Sequence, residues 1–126
     1  MSKVLYSAVV LDSKSKEDLI RFFRPIITEN DEILCHHMTI NLGEIDPQYA
    51  DALGRNVELT AYDYAFDDKV MAVGVKGFPT KNKKAHITVL VNRRNGGKPK
   101  MSNDLTNWNP IGIEIKLHGV VTEVKQ

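Results

Sequence analysis

Residues 37–40 read His37-Met38-Thr39-Ile40, and residues 86–89 return to the same pattern as His86-Ile87-Thr88-Val89. Each tetrapeptide is His-apolar-Thr-apolar in an apolar, β-branched setting, which predicts a strand. Residues two apart in a strand share a face. His37 therefore lies beside Thr39 and His86 beside Thr88, while Met38, Ile40, Ile87 and Val89 point the other way, into a core. The chain has four His and seven Thr among 126 residues, 42% of them hydrophobic. At that composition the template arises by chance about 0.04 times per chain, and a pair in roughly one chain in a thousand. The repetition is therefore read as a signal.

Working outward, Val4 to Leu11 is an apolar run that reads as a buried strand. A helix follows, capped by Ser13 or Ser15, with Leu19, Phe22, Phe23 and Ile26 at helical spacing until Pro25 disturbs its end. Thr28 to Glu32 is a polar turn, and Ile33 to Leu42 reads as one strand closed by Gly43. Residues 46–54 look like a short helix with Asp46 at the cap, Pro47 in the first turn and Gly54 at the exit. Val57 to Phe66 and Lys69 to Val75 form a hairpin through Asp67-Asp68, and Ala85 to Val91 is the next strand. Residues 102–108 hold one capped helical turn. Ile111 to Val124 is a half-exposed last strand that bends at Gly119. With so few helices between strands, the order excludes a doubly wound parallel sheet and favours antiparallel pairing. The fold class is α+β, a single domain over 1–126 with two or three short helices.

The net charge of +1 argues against a polyanionic partner only if it is evenly spread. It is not, because Lys81, Lys83, Lys84, Arg93, Arg94, Lys98 and Lys100 fall in twenty residues without one Asp or Glu. The rest of the chain carries ten basic and sixteen acidic residues, a net of −6. Such a band attracts anions, phosphates above all, or is merely a solvated loop. The sequence contains no run near the eighteen apolar residues of a membrane span, and Met1 to Ser7 is too short an apolar start for a secretory signal. One cysteine, Cys35, supplies neither a disulfide nor a metal site, and the setting expected is reducing and cytoplasmic.

Two histidines facing one phosphate can serve as general base and general acid, since an ordinary histidine populates both protonation states near neutrality. Threonine hydroxyls beside them can donate to non-bridging phosphate oxygens. The duplicated His-x-Thr motif resembles that of the two-histidine (2H) phosphoesterase superfamily. Its members include bacterial RNA 2′,5′-ligase-like proteins, the cyclic phosphodiesterase domains of fungal and plant tRNA ligases, and phage anti-CBASS nucleases that degrade cyclic nucleotide signals. The resemblance implies a bilobal α+β fold with antiparallel sheets around a central cleft. It implies a phosphodiesterase without metal or cofactor, acting on a 2′,3′-cyclic phosphate RNA end or a cyclic oligonucleotide. His37 and His86 would be the acid/base pair, and Thr39 and Thr88 the phosphate ligands. Element order matches along most of the chain, but only the two tetrapeptides match residue by residue. The forty-nine-residue spacing of the histidines is short for that superfamily and implies a trimmed lobe, which leaves the substrate open. A viral origin would place the protein in a host cytoplasm.

Other residues carry weaker signals. Tyr6 and Trp108 can stack a nucleobase or fill a core; Trp108 is read as core, and Tyr6 is kept as a substrate-binding candidate. Gly96 to Ser102 is the expected substrate-covering loop, with Lys98 and, before the second motif, Lys84 as phosphate-binding candidates. His36 falls by alternation on the side of Met38 and is expected to be structural. A zinc site would need Cys35, His36, His37, His86 and carboxylates without any metal-ligand spacing, and His118 reads as solvated. The alternative to an enzyme is a non-catalytic RNA- or nucleotide-binding module using the same cleft. No membrane or obligate protein partner is indicated, and the sequence is silent on oligomeric state.

Overall fold

The apolar run at the start forms strand β1 (Val4–Leu11). Helix α1 (Ser13–Phe23) begins at Asp12, whose carboxylate accepts from the Ser15 backbone N–H at 2.8 Å, so the cap is Asp12 and neither of the expected serines. The Ser15 hydroxyl instead accepts from the His118 N–H at 2.7 Å, tying α1 to the last strand. Pro25 turns the helix end into a 3-10 turn, Arg24–Ile26. This computed structural model describes residues 3–29 and 31–125. Met1, Ser2, Asn30 and Gln126 lie outside the described residues, and with them the first residues of the N-terminal reading and the middle of the 28–32 turn.

The remaining strands are β2 (Glu32–Ile33), β3 (His37–Leu42), β4 (Asn56–Phe66), β5 (Val70–Lys76), β6 (His86–Val91) and β7 (Asn109–Lys125). They form one antiparallel sheet in the order β2-β6-β3-β1-β7-β4-β5, and β5 returns to pair with β6. The ring β6-β3-β1-β7-β4-β5 is thereby closed, with β2 continuing the β3 edge of β6. The expected hairpin is present, and Asp67 makes it: its carboxylate accepts from the N–H groups of Lys69 at 2.8 Å and Val70 at 2.9 Å. Gly119 sits where β7 passes β1, and a Cβ there would lie 2.7 Å from the Val10 carbonyl oxygen. Only glycine lets those backbones meet.

The α+β expectation stands, but the sheet dominates it and no plain division into two lobes is seen. Among the described residues α1 is accompanied by 3-10 turns: Pro47–Ala52 stands where a short helix was expected, and Pro99–Asp104 starts N-terminal to the helical turn expected at 102–108, of which residues 105–108 are not helical. The core fills with Val9, Met38, Ile40, Leu59, Ile87, Val89, Leu117 and Val121, all essentially inaccessible, and α1 adds Leu19 and Phe23. A smaller cluster joins Val70, Val91 and Leu105, with Trp108 packed against it. The apolar residues of both motifs are thus in the core, which sends their histidines and threonines to the opposite face.

One departure reshapes that face. The strand expected from Ile33 to Leu42 is broken between β2 and β3. Ile33 pairs with Leu90 and Met38 with Ile87, so the chain advances five residues against three on β6. Two extra residues are accommodated by a bulge in which Cys35 adopts φ of +48°, a conformation that non-glycine residues seldom take. Cys35 turns into the core, and His36 turns out to solvent.

Candidate active site

The Met38–Ile87 pair is the hinge of the site. Its antiparallel sense sets His37 across from Thr88 and Thr39 across from His86. The histidines are therefore diagonal neighbours, about 7–8 Å apart in a regular pair, a span that admits a phosphate. All four side chains are half-buried and line one pocket of about 510 Å³. Tyr6 of β1 and His36, both against the His37 ring, line the pocket too, as do Asn82, Asn103 and Lys100.

Each member is held by its neighbours. His86 Nδ1 lies 2.8 Å from the Lys84 carbonyl oxygen. A carbonyl only accepts, so Nδ1 carries the hydrogen and Nε2 is the nitrogen left for chemistry. His37 Nδ1 lies 2.9 Å from His36 Nδ1, and the Tyr6 ring stacks on His37 with centroids 4.7 Å apart. Thr88 Oγ1 shares a 2.8 Å hydrogen bond with Ser102 Oγ, from the buried side of the Pro99–Asp104 turn. Thr80 donates its hydroxyl to the Thr39 carbonyl at 2.7 Å and accepts from the Asn82 N–H at 3.1 Å, which pins Asn82 at the pocket wall.

Burial pushes the His37 ring down to about 4, with His36 and His86 adding electrostatic repulsion. Burial also lowers His86, opposed by its bond to the Lys84 carbonyl and reinforced by the Lys84 charge. In both rings burial thus favours the neutral form. Burial raises the Tyr6 phenol above its usual value. Cys35 is inert by the same logic: its thiol, buried and directed at the Val89 carbonyl, is pushed up to about 12.

Several expectations need correction. His36 is exposed and faces the pocket, because the Cys35 bulge reverses the parity that placed it toward the core. Lys84 is engaged elsewhere: its ammonium bonds Asp63 at 2.6 Å and the Tyr62 hydroxyl at 3.2 Å, over the rings of Tyr62 and Trp108. It lines an adjoining basin of about 770 Å³, shared with Lys81, Lys83, His86 and Trp108, and is not part of the histidine pocket wall. Trp108 thus packs on the core and also shows a face to that basin. Lys98 is exposed and lines neither cavity, whereas Lys100 lines the histidine pocket.

The glycine loop explains the shift. A Cβ on Gly97 would collide with the Lys69 carbonyl oxygen, and the Lys69 ammonium reaches the Asn95 carbonyl at 2.9 Å. Residues 92–97 are therefore bound to the β4–β5 hairpin, and the cover over the motifs begins only at Pro99. The basic band is also partly neutralised, with Lys81 on Asp46 at 3.0 Å, Lys84 on Asp63 and Arg93 on Glu32 at 2.6 Å. Among the described residues Lys83, Arg94, Lys98 and Lys100 have no carboxylate partner.

The family described as the fungal tRNA ligase phosphodiesterase domain matches residues 28–121. The chain belongs to this family. The matched span runs from the turn before β2 into β7 and contains both motifs, the Cys35 bulge and the Pro99–Asp104 cover, leaving β1 and α1 outside it. It is a 2H phosphoesterase-type family, and this member is a cyclic phosphodiesterase, a hydrolase. Comparison with curated proteins and with solved structures gave no match. No helix among the described residues is long and apolar enough to cross a membrane.

Proposed function

We propose that this phosphodiesterase opens a 2′,3′-cyclic phosphate at the end of an RNA, with His37 and His86 as its acid and base and no metal in the step. The observation that carries the reading is the pocket itself: two half-buried, neutral imidazoles on one face, each with Nδ1 occupied and so aimed by Nε2. One ring removes a proton from the attacking water and the other protonates the ribose oxygen that leaves. Thr39 and Thr88 hold the non-bridging oxygens, where charge grows in the transition state. The family's central cleft corresponds to the seam between β3 and β6. Tyr6 serves as a wall that keeps His37 oriented, and Lys100 as the nearest charge for the phosphate.

An RNA end is favoured over a small cyclic oligonucleotide because the pocket opens, past His86, Asn82 and Asn103, into the lysine-lined basin. That continuity supplies room for the chain beyond the terminal nucleotide, and Lys83, without a carboxylate partner among the described residues, supplies a charge for it. Incubation in EDTA with an oligoribonucleotide bearing a 2′,3′-cyclic phosphate, and in parallel with a cyclic oligonucleotide, is read by mass spectrometry. A mass gain of one water on the RNA end is expected. Tight binding of either ligand with no product would replace the enzyme by a binding module.

A further inference from the structure

His37 and His86 are oriented by different kinds of partner. His86 gives Nδ1 to a carbonyl oxygen, which accepts only and locks the tautomer. His37 gives Nδ1 to another imidazole nitrogen, His36 Nδ1 at 2.9 Å, and such a nitrogen can accept or donate. When His36 is neutral with its hydrogen on Nε2, its Nδ1 accepts from His37, and His37 Nε2 is bare. When His36 is protonated, it donates to His37 Nδ1, and the still neutral His37 carries its hydrogen on Nε2, toward the pocket. The exposed ring selects the tautomer that the half-buried ring presents.

The arrangement is built by the fold. The Cys35 bulge turns His36 outward to solvent, edge-on to His37 with ring centroids 5.1 Å apart at 82°. Tyr6 lies on the His37 ring and restricts its rotation. The titratable groups facing the pair are Tyr6 from β1, His86 from β6 and Lys100 from the 3-10 turn, and no carboxylate lines this pocket among the described residues. Among the described residues His36 is thus the only neighbour at hydrogen-bond distance from His37 Nδ1 that can pass it a proton from water.

We propose that His36 is a proton relay and positioning residue for His37, loading it with the proton that the leaving ribose oxygen takes. This rests on the two-histidine reading and assigns the roles within it. His86 Nε2 takes one hydrogen of the attacking water as the water oxygen bonds to phosphorus, and the second stays on the new phosphate oxygen. As the bond from phosphorus to the ribose oxygen breaks, His37 Nε2 gives its hydrogen to that oxygen, and His37 Nδ1 takes the one from His36. His37 is neutral before and after, His36 passes from cation to neutral, and His86 from neutral to cation. The relay explains how a ring depressed to about 4 can act as the acid near neutrality: it never has to bear the charge itself.

The test combines histidine-labelled 15N NMR with pH-dependent kinetics on the full chain. In the unsubstituted protein the His37 nitrogens should change from the Nε2–H to the Nδ1–H pattern as His36 loses its proton. His36→Ala should abolish the switch of His37 tautomer, lower kcat roughly 10–100-fold with little change in KM, alter the alkaline side of the pH profile, and recover with added imidazole. His36→Gln keeps a hydrogen bond but cannot relay, and should remain slow. A wild-type rate and pH profile in His36→Ala, or a His37 tautomer indifferent to His36 titration, overturns the relay. His37→Ala and His86→Ala are assayed alongside. If they are inactive while His36→Ala is unaffected, the relay alone falls; activity retained in either overturns the two-histidine reading with it.

Discussion

Ser102 Oγ lies 2.8 Å from Thr88 Oγ1, and Ser102 is almost wholly buried behind it. The contact joins the Pro99–Asp104 cover to the second motif; when Ser102 is the donor, the Thr88 hydroxyl hydrogen is free to turn from the Pro99 carbonyl, 3.5 Å away, toward a phosphate oxygen. Thr88→Ala removes the donor itself and should cost roughly 10²–10³ in kcat. Ser102→Ala only frees the donor to rotate, so a loss of about tenfold is expected, with about 1 kcal/mol of stability lost from the broken bond. Steady-state kinetics with urea unfolding separates the two. Equal losses in both variants would mean that Ser102 touches the phosphate directly.

The depressed His37 also links stability to pH. An unfolded histidine titrates near 6.5, whereas the folded ring holds off its proton until about 4. Between these values the unfolded chain binds the extra proton, so stability is complete above 6.5, falls as pH drops toward 4, and changes no further below. The full contribution is about 3 kcal/mol. Urea midpoints at pH 5 and pH 7 should differ less in His37→Gln, which cannot charge, than in the unsubstituted protein. An unchanged difference would show that His37 is not held neutral.

Lys84 and Lys98 belong to the same basic band but differ in what they touch. Lys84 is the partner of Asp63, one of whose carboxylate oxygens is buried with no other hydrogen bond among the described residues. Lys84→Ala leaves that carboxylate alone and should cost about 1–2 kcal/mol, between the values typical of exposed and of buried pairs. Lys98→Ala should leave both stability and kcat/KM within about twofold, as befits an exposed side chain. Thermal melts and kinetics on the two variants check this, and a large rate loss in Lys98→Ala would restore the glycine loop as part of the site.

Period-two alternation made the motifs legible in the sequence, because the same spacing that buried Met38, Ile40, Ile87 and Val89 had to bring His37, Thr39, His86 and Thr88 to the other face. The hairpin at Asp67 and the stops at Pro25 and Gly54 were equally local signals. What alternation hides is a bulge. Residues 33–42 alternate well enough to pass for one strand, and two additional residues at Cys35 suffice to reverse the placement of His36. Ring closure by the β5–β6 pairing is likewise non-local and leaves no trace in either strand alone. Asn82 and Asn103 are not legible in the sequence because neutral polar loop residues carry no pattern; their place depends on Thr80 and the Pro99 turn being pinned to β3 and β6. Charge and glycine context point to Lys98, and only the path of the loop, bound to the hairpin up to Gly97, puts Lys100 at the pocket instead.

The central claim is that two neutral imidazoles hydrolyse a cyclic phosphate, and the most direct measurement is kcat/KM in EDTA on an oligoribonucleotide ending in a 2′,3′-cyclic phosphate. The unsubstituted protein should be active. His37→Ala and His86→Ala, each confirmed folded by its melt, should both fall by about 10²–10⁴-fold or more, the range set by loss of a positioned acid or base. Activity within tenfold of the unsubstituted protein in either folded variant would contradict the account.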